Sequence, residues 1–227
     1  MGDETNPMKP IQAVIFDMDG LLLDTERIAL DVFLETCDDF GIGDLTPLFM
    51  QCIGTNQALG EQILKKGLWG KADYLDFSRQ WEAKYHDRTT KEPVPLKEGV
   101  WSLLDGLTLL NIPRAVATST RTGQAMEKLE KVGILKRFDA IIGGDQVLNS
   151  KPHPDIYLRA ADAVDVGPEN CLALEDSENG VRAGVRAGMK VIQIPDLVQP
   201  SPALMALGHT VLGSLKDVME FVFKDVR

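Results

Sequence analysis

Two aspartates two residues apart, Asp17 and Asp19, head a series of chemically capable groups spread along the chain. Thr118, Ser119 and Thr120 follow, then Lys151, then Glu175 with Asp176. A phosphate monoester carries nearly two negative charges, and carboxylates alone would repel it, so a carboxylate cluster meeting such a group requires a cation. Hard, carboxylate-rich oxygen ligands suit Mg²⁺, which keeps several waters and also binds substrate phosphate. Aspartate is a covalent nucleophile toward phosphate, giving an aspartyl-phosphate. Lys151 is a compact positive charge with three donors, fit for a phosphate oxygen and for holding Asp17 ionised. Thr118 offers a neutral donor, and backbone N–H groups of the Asp17–Gly20 turn can cradle further oxygens. Asp17 and Asp19 need not share one direction, so one can attack while the other moves protons, first to the leaving oxygen and then from water.

Such groups need elements that bring them together. Ile11 to Phe16 is a short, apolar, β-branched run, as in a buried parallel strand, and it ends directly in Asp17. From Asp24 to about Glu92 the texture is helical: Val32, Phe33, Thr36, Cys37 and Phe40 recur at threes and fours, and Ile53–Leu68 and Tyr74–Tyr85 read as further helices. Pro93 and Pro95 punctuate the stretch as a linker would. Strands then alternate with helices. The strands are expected at Arg114–Thr118, Phe138–Ile142, Cys171–Leu174 and Lys190–Ile194. The helices are expected at Gly99–Leu110, Thr122–Val132, Pro154–Val164 and Ser177–Ala187. This alternation implies an α/β fold with a parallel sheet covered on both faces, whose chemistry lies beyond the carboxyl ends of the strands. The acidic, hydroxyl and lysine groups fall after those strand ends. One aspartate after a strand is ordinarily a helix cap; all of them together are not explained that way. Gly180, Gly184 and Gly188, spaced by four and interleaved with Arg182 and Arg186, read as a helix approaching the sheet closely.

The four segments Asp17-Met18-Asp19-Gly20, Ala117-Thr118-Ser119-Thr120, Ser150-Lys151-Pro152 and Leu174-Glu175-Asp176-Ser177 resemble, in order, the four motifs of the haloacid dehalogenase-like hydrolase superfamily. The resemblance spans Ile11 to about Pro195. It implies a Rossmann-like parallel sheet core, residues 11–23 and 96–227, with an inserted helical cap domain, residues 24–95, after a loose start at residues 1–10. It further implies Asp17 as nucleophile, Asp19 as general acid/base, and Thr118, Ser119 and Lys151 as phosphate binders. Mg²⁺ would be held by Asp17, the backbone carbonyl of Asp19 and Asp176, with Glu175 nearby or acting through water. The Lys151–Pro152 bond is expected to be cis.

The dehalogenases of that superfamily lack the second aspartate, which is present here, so the resemblance favours the branch of β-phosphoglucomutase, phosphoglycolate phosphatase and pseudouridine 5′-phosphatase. The expected activity is hydrolysis of a small phosphorylated metabolite through a phospho-aspartate. A sugar phosphomutase is the alternative, and a non-catalytic binding protein a remoter one. The mutase's cap histidine and cap arginine have no counterparts in Glu26-Arg27-Ile28-Ala29 or Gly54-Thr55-Asn56-Gln57. Thr25, Glu26 and Asn56 are the candidates for touching the leaving group, or else pack the hinge and cap. Arg121 is expected to be solvated, His153 to be incidental, His86 and His209 to have no role, and Trp69, Trp81 and Trp101 to pack.

Composition limits the partners. The net charge of −10 disfavours nucleic-acid backbones and anionic membranes. No apolar run approaches the roughly 18 residues a span requires. The three widely spaced cysteines, Cys37, Cys52 and Cys171, argue against a disulfide framework or a zinc site. A cytoplasmic monomer acting on a small metabolite is the resulting expectation.

Overall fold

Ala13–Phe16 forms β1, and the period-2 geometry of a strand sends its side chains to two different cores. Val14 and Phe16 enter one apolar cluster, Ala13 and Ile15 the other. The same split recurs in β2 (Arg114–Ala117) and β4 (Cys171–Glu175): Val116, Leu172 and Leu174 go to the first face, and Ala115, Ala117, Cys171 and Ala173 to the second. The computed structural model of the chain describes residues 11–55 and 57–223. The expectation of a loose segment at residues 1–10 and the candidate Asn56 therefore lie outside the described residues.

Six strands form one parallel sheet in the order β3-β2-β1-β4-β5-β6. β3 spans Ala140–Ile142, β5 Lys190–Gln193 and β6 Thr210–Val211. β6 is an addition to the five strands expected from sequence. It has two half-buried residues and so carries no apolar run to announce it. The chain fills the β2–β3 side first and then crosses β1 to begin β4, so β1 is the switch point of the sheet, where α/β folds bind ligands.

Helices cover both faces. Numbered in chain order, α5 (Val100–Leu109), α6 (Thr122–Lys131) and α10 (Leu215–Phe223) pack on the first cluster. α7 (Asp155–Ala163) and α8 (Glu178–Arg186) pack on the second. Gly184 lets α8 approach closely, because a Cβ there would stand 2.9 Å from Val191 and 3.2 Å from Ala173. Gly188 plays a different part, lying beyond the helix end at φ +78°. A short α9 (Pro202–Met205) precedes β6.

Between β1 and α5 lie four helices: α1 (Thr25–Asp39), α2 (Thr46–Cys52), α3 (Gln57–Leu68) and α4 (Tyr74–Lys91). They bury a third cluster of their own, centred on Phe33, whose ring lies 5.3 Å from each of Phe49, Phe77 and Trp81. The helix expected over Ile53–Leu68 begins only at Gln57, because Ile53 is extended and Gly54 takes φ +71°. Trp69 does not pack as expected. It lies past the end of α3 and is 87% exposed. Trp101 is half-exposed beneath the Arg137 guanidinium. Cys37 and Cys171 are buried, Cys52 is half-buried, and all three are free thiols. The chain enters and leaves this four-helix segment side by side. Leu23 pairs with Leu96, Asp24 N–H donates to the Pro95 carbonyl at 2.8 Å, and Lys97 N–H donates to the Leu22 carbonyl at 2.9 Å.

Candidate active site

Strand register brings the site together. Phe16 pairs with Val116 on one side and Leu174 on the other, so the next residue, Asp17, sits level with Ala117 and Glu175 at the carboxyl edge of three adjacent strands. Thr118 and Asp176 follow immediately. Lys151 arrives from the loop after β3, across a cis Lys151–Pro152 bond. The result is a cavity of about 380 Å³ lined by Asp17, Asp19, Glu26, Thr55, Thr118, Ser119, Lys151, Asp176 and Asn179, among others.

Lys151 Nζ donates to Asp17 Oδ1 at 2.5 Å and to Glu175 Oε1 at 2.6 Å. Glu175 is fully enclosed. Its Oε1 also accepts from the Tyr157 hydroxyl at 2.7 Å, and its Oε2 accepts from Asp176 N–H, Ser177 N–H and Ser177 Oγ. Gly180 makes room for it, since any Cβ there would overlap the Glu175 carboxylate. Burial pushes the Asp17 carboxyl up to about 8, against the pull of Lys151, with Glu175 and Asp19 adding to the rise. Burial, then the charges of Glu175 and Asp17, raise Asp176 well above the usual carboxylate range. Burial works against the Lys151 ammonium, yet Asp17 and Glu175 outweigh it and hold its pKa above the ordinary value.

Carboxylate oxygens of Asp17, Glu175 and Asp176 lie within 4.8 Å of one another. Hard oxygens gathered in a poorly solvated pocket are the donor set of a small divalent cation. Two of the three, Asp17 and Asp176, are destabilised as anions by that pocket, as expected of groups awaiting a positive partner. Glu175 already accepts five hydrogen bonds, so Asp17 and Asp176 present the freer oxygens. Gly20 supports this corner. It turns the chain at φ +85°, and a Cβ would stand 2.2 Å from Asp176 Oδ2.

The amide cradle is narrower than the sequence suggested. Asp17 N–H donates to the Leu174 carbonyl and Gly20 N–H to the Leu23 carbonyl, each at 2.9 Å, so only Met18 and Asp19 keep free amides in that turn. The Asp19 carboxylate turns toward β2 and α6, where it accepts from Thr120 Oγ1 at 2.7 Å, Thr118 Oγ1 at 3.5 Å and Lys128 Nζ at 3.0 Å. Ser119 is exposed on the cavity wall, and Arg121 and His153 are exposed beside the site. His209 pairs with Gln193.

The four-helix segment closes over this edge. Thr25 is buried with its hydroxyl unpartnered. The Tyr85 phenol lies near it without a hydrogen bond of good geometry. Glu26 faces the cavity, and burial, with Asp19 and Asp196 assisting, pushes its carboxyl up to about 7. The Gly54 carbonyl accepts from Asn179 Nδ2 at 2.8 Å. Arg27 and Lys97 both pair with Asp196, at 2.9 and 2.6 Å, tying α1 and the returning linker to the loop after β5.

Lys128 and Tyr85 were not anticipated from the sequence. Lys128 follows the buried Ala125 by three residues in α6 and so borders the inward stripe. Tyr85 continues the stripe of Phe77 and Trp81 in α4. Those spacings were the available signals, but neither says what a border residue will meet.

The family model described as haloacid dehalogenase-like hydrolase matches residues 14–194. A Thermotoga maritima protein named phosphorylated carbohydrates phosphatase is 31% identical, over 95% of this chain and 100% of its own length. A solved haloacid dehalogenase family hydrolase from Deinococcus radiodurans, with bound phosphate and sodium, superposes with a TM-score of 0.81 at 28% identity, over 95% of this chain and 96% of that one. CbbY from Rhodobacter sphaeroides, solved in complex with xylulose-(1,5)bisphosphate, gives 0.68 at 28% identity, over 92% and 96%.

Proposed function

This chain belongs to the haloacid dehalogenase-like hydrolase family, and from that premise we propose that it is a phosphatase for a small, carbohydrate-like phosphate monoester, with Asp17 as the nucleophile. The observation that carries the reading is the union at one cavity of Asp17, its lysine partner Lys151 and Asp176, with the buried Glu175 carboxylate within reach of all three. The name of the Thermotoga relative and the sugar bisphosphate held by CbbY support the substrate class.

In this reading Asp17 Oδ attacks phosphorus, the bond to the leaving oxygen breaks, and Asp19 supplies that oxygen with a proton. Asp19 then takes a proton from water, the water oxygen bonds to phosphorus, and the bond to Asp17 breaks, freeing phosphate. Lys151 and Thr118 hold phosphoryl oxygens, with Ser119 and the free amides of Met18 and Asp19 beside them. Asp17, the Asp19 carbonyl and Asp176 would hold Mg²⁺, which when bound cancels the repulsion between carboxylate and phosphate. Glu175, saturated with donors, fixes Lys151 and the Asp176–Ser177 turn.

Residues 24–95 form the cap in this proposal, with the paired Leu23 and Leu96 as its hinge. Glu26 and Thr55, which line the cavity, face the leaving group, while the buried Thr25 packs the hinge. No helix among the described residues is long and apolar enough to cross a membrane.

Phosphate release over a panel of sugar phosphates, nucleotides, pseudouridine 5′-phosphate and phosphoglycolate tests the proposal. Release that requires Mg²⁺ and disappears in a folded Asp17→Asn variant is the expected result. Undiminished release by that variant would remove Asp17 as nucleophile, and exchange of phosphate between positions of one sugar without free phosphate would replace the phosphatase by a mutase.

A further inference from the structure

Asp19 is anchored from one side by groups that lie outside its own motif. Its Oδ1 accepts from Lys128 Nζ at 3.0 Å and its Oδ2 from Thr120 Oγ1 at 2.7 Å. An ammonium can only donate, so Lys128 meets Asp19 Oδ1 as an acceptor. The pair is largely withdrawn from water, with Lys128 11% and Asp19 24% exposed at the side chain, unlike surface pairs that contribute little. Lys128 does not line the 380 Å³ cavity; it stands behind Asp19. Its outer side is covered by the Tyr85 ring, 5.6 Å from Nζ, contributed by α4. Tyr85, His86, Thr89, Thr90 and Lys128, among others, wall a second cavity of about 220 Å³, and Lys131, one turn further along α6, donates to the Thr90 carbonyl.

We infer that Lys128 is a positioning residue that holds the Asp19 side chain in one orientation at the cavity edge for the water-activating half-reaction, and that Tyr85 makes this anchor complete only when α4 is docked. The inference rests on the proposed phosphatase reading. In the step concerned, a water proton passes to Asp19, the water oxygen bonds to phosphorus, and the phosphorus–oxygen bond to Asp17 breaks. An Asp19 side chain fixed at both oxygens keeps one orientation toward the attacking water; with Lys128 lost, only Oδ2 is held, and the side chain turns more freely. The first half-reaction with an aryl phosphate, whose leaving group departs without a proton, does not use this anchor.

The two steps separate kinetically. For a covalent mechanism kcat/KM reports events up to departure of the leaving group, and slowing only the second step lowers kcat and KM together. With full-length protein, Mg²⁺ and p-nitrophenyl phosphate, Lys128→Met is expected to lower kcat about 10- to 100-fold. KM should fall in parallel and kcat/KM stay within about threefold, while rapid mixing shows a nitrophenolate burst approaching one per active site. Lys128→Arg, which keeps the charge, is expected to retain most of kcat, and Tyr85→Leu to show the same split to a smaller extent. A fall in kcat/KM matching that in kcat, with no burst, or an unchanged kcat, overturns the inference. If Lys128→Met does not fold, Tyr85→Leu decides by the same criterion. Wild-type protein that releases no phosphate from any compound sinks the parent reading, whereas active wild type with equal losses sinks only the role of Lys128.

Discussion

The Lys151 ammonium lies 2.6 Å from Glu175 Oε1, and the two side chains are only 7% and 0% exposed. Removing one partner of such a pair leaves a buried charge uncompensated, at a cost of about 3–5 kcal/mol. Lys151→Met is therefore expected to lower the melting temperature by roughly 6–20 °C for a chain of this size, besides abolishing turnover. Thermal denaturation followed by circular dichroism checks it. A shift below about 2 °C would mean that the pair contributes little and that Tyr157 and the Ser177 turn already stabilise Glu175.

Gly20 is expected to tolerate no side chain. At φ +85° and with a Cβ 2.2 Å from Asp176 Oδ2, Gly20→Ala combines backbone strain with a clash against a proposed metal ligand. A loss of about 1–3 kcal/mol is expected, along with weaker Mg²⁺ binding by titration calorimetry. Full metal affinity in the variant would show that Asp176 can move aside.

Glu26 makes stability depend on pH. Its carboxyl is pushed up to about 7 from 4.5 by burial and by the charges of Asp19 and Asp196. The folded protein thus holds this proton more tightly than the unfolded chain does. The neutral form is accommodated at low pH, and stability is lost as pH rises from about 4.5 through about 7. Discounted for partial exposure, the ionised side chain costs about 1–2 kcal/mol at pH 8. Glu26→Gln should melt a few degrees above wild type at pH 8 and with wild type at pH 5. A difference of equal size at both pH values would trace the effect to packing.

Metal removal is expected to destabilise the protein at neutral and alkaline pH. Burial penalises the anionic forms of Asp17 and Asp176, raising the first to about 8, so their ionisation as pH climbs costs stability, which a cation that binds only the folded chain restores as its concentration exceeds its dissociation constant. Millimolar Mg²⁺ should raise the melting temperature of EDTA-treated protein at pH 8. Asp17→Asn should reduce that increment, and an increment equal in both proteins would place the ion elsewhere.

The α/β alternation, the strand ends and the four motifs were legible in the sequence because each is local. A strand writes its burial in a few consecutive residues, and the residue that follows it must emerge at the sheet edge; hence the sequence alone places Asp17, Thr118 and Asp176 there. The helical texture of residues 24–95 was legible for the same reason, as the Phe33, Phe77 and Trp81 spacing shows. What tertiary structure alone decided is which distant groups meet. Lys128 on Asp19, Tyr85 over Lys128, Arg27 and Lys97 on Asp196, and Asn179 on the Gly54 carbonyl each join segments whose separation in the chain carries no periodic signal. The free amides of the Asp17–Gly20 turn were likewise decided by where Leu174 and Leu23 place their carbonyls. Residue type and spacing thus fixed the chemistry available to this protein, while packing of the helical segment on the sheet edge, a sum of contacts between remote surfaces, decided how its groups are aimed and covered.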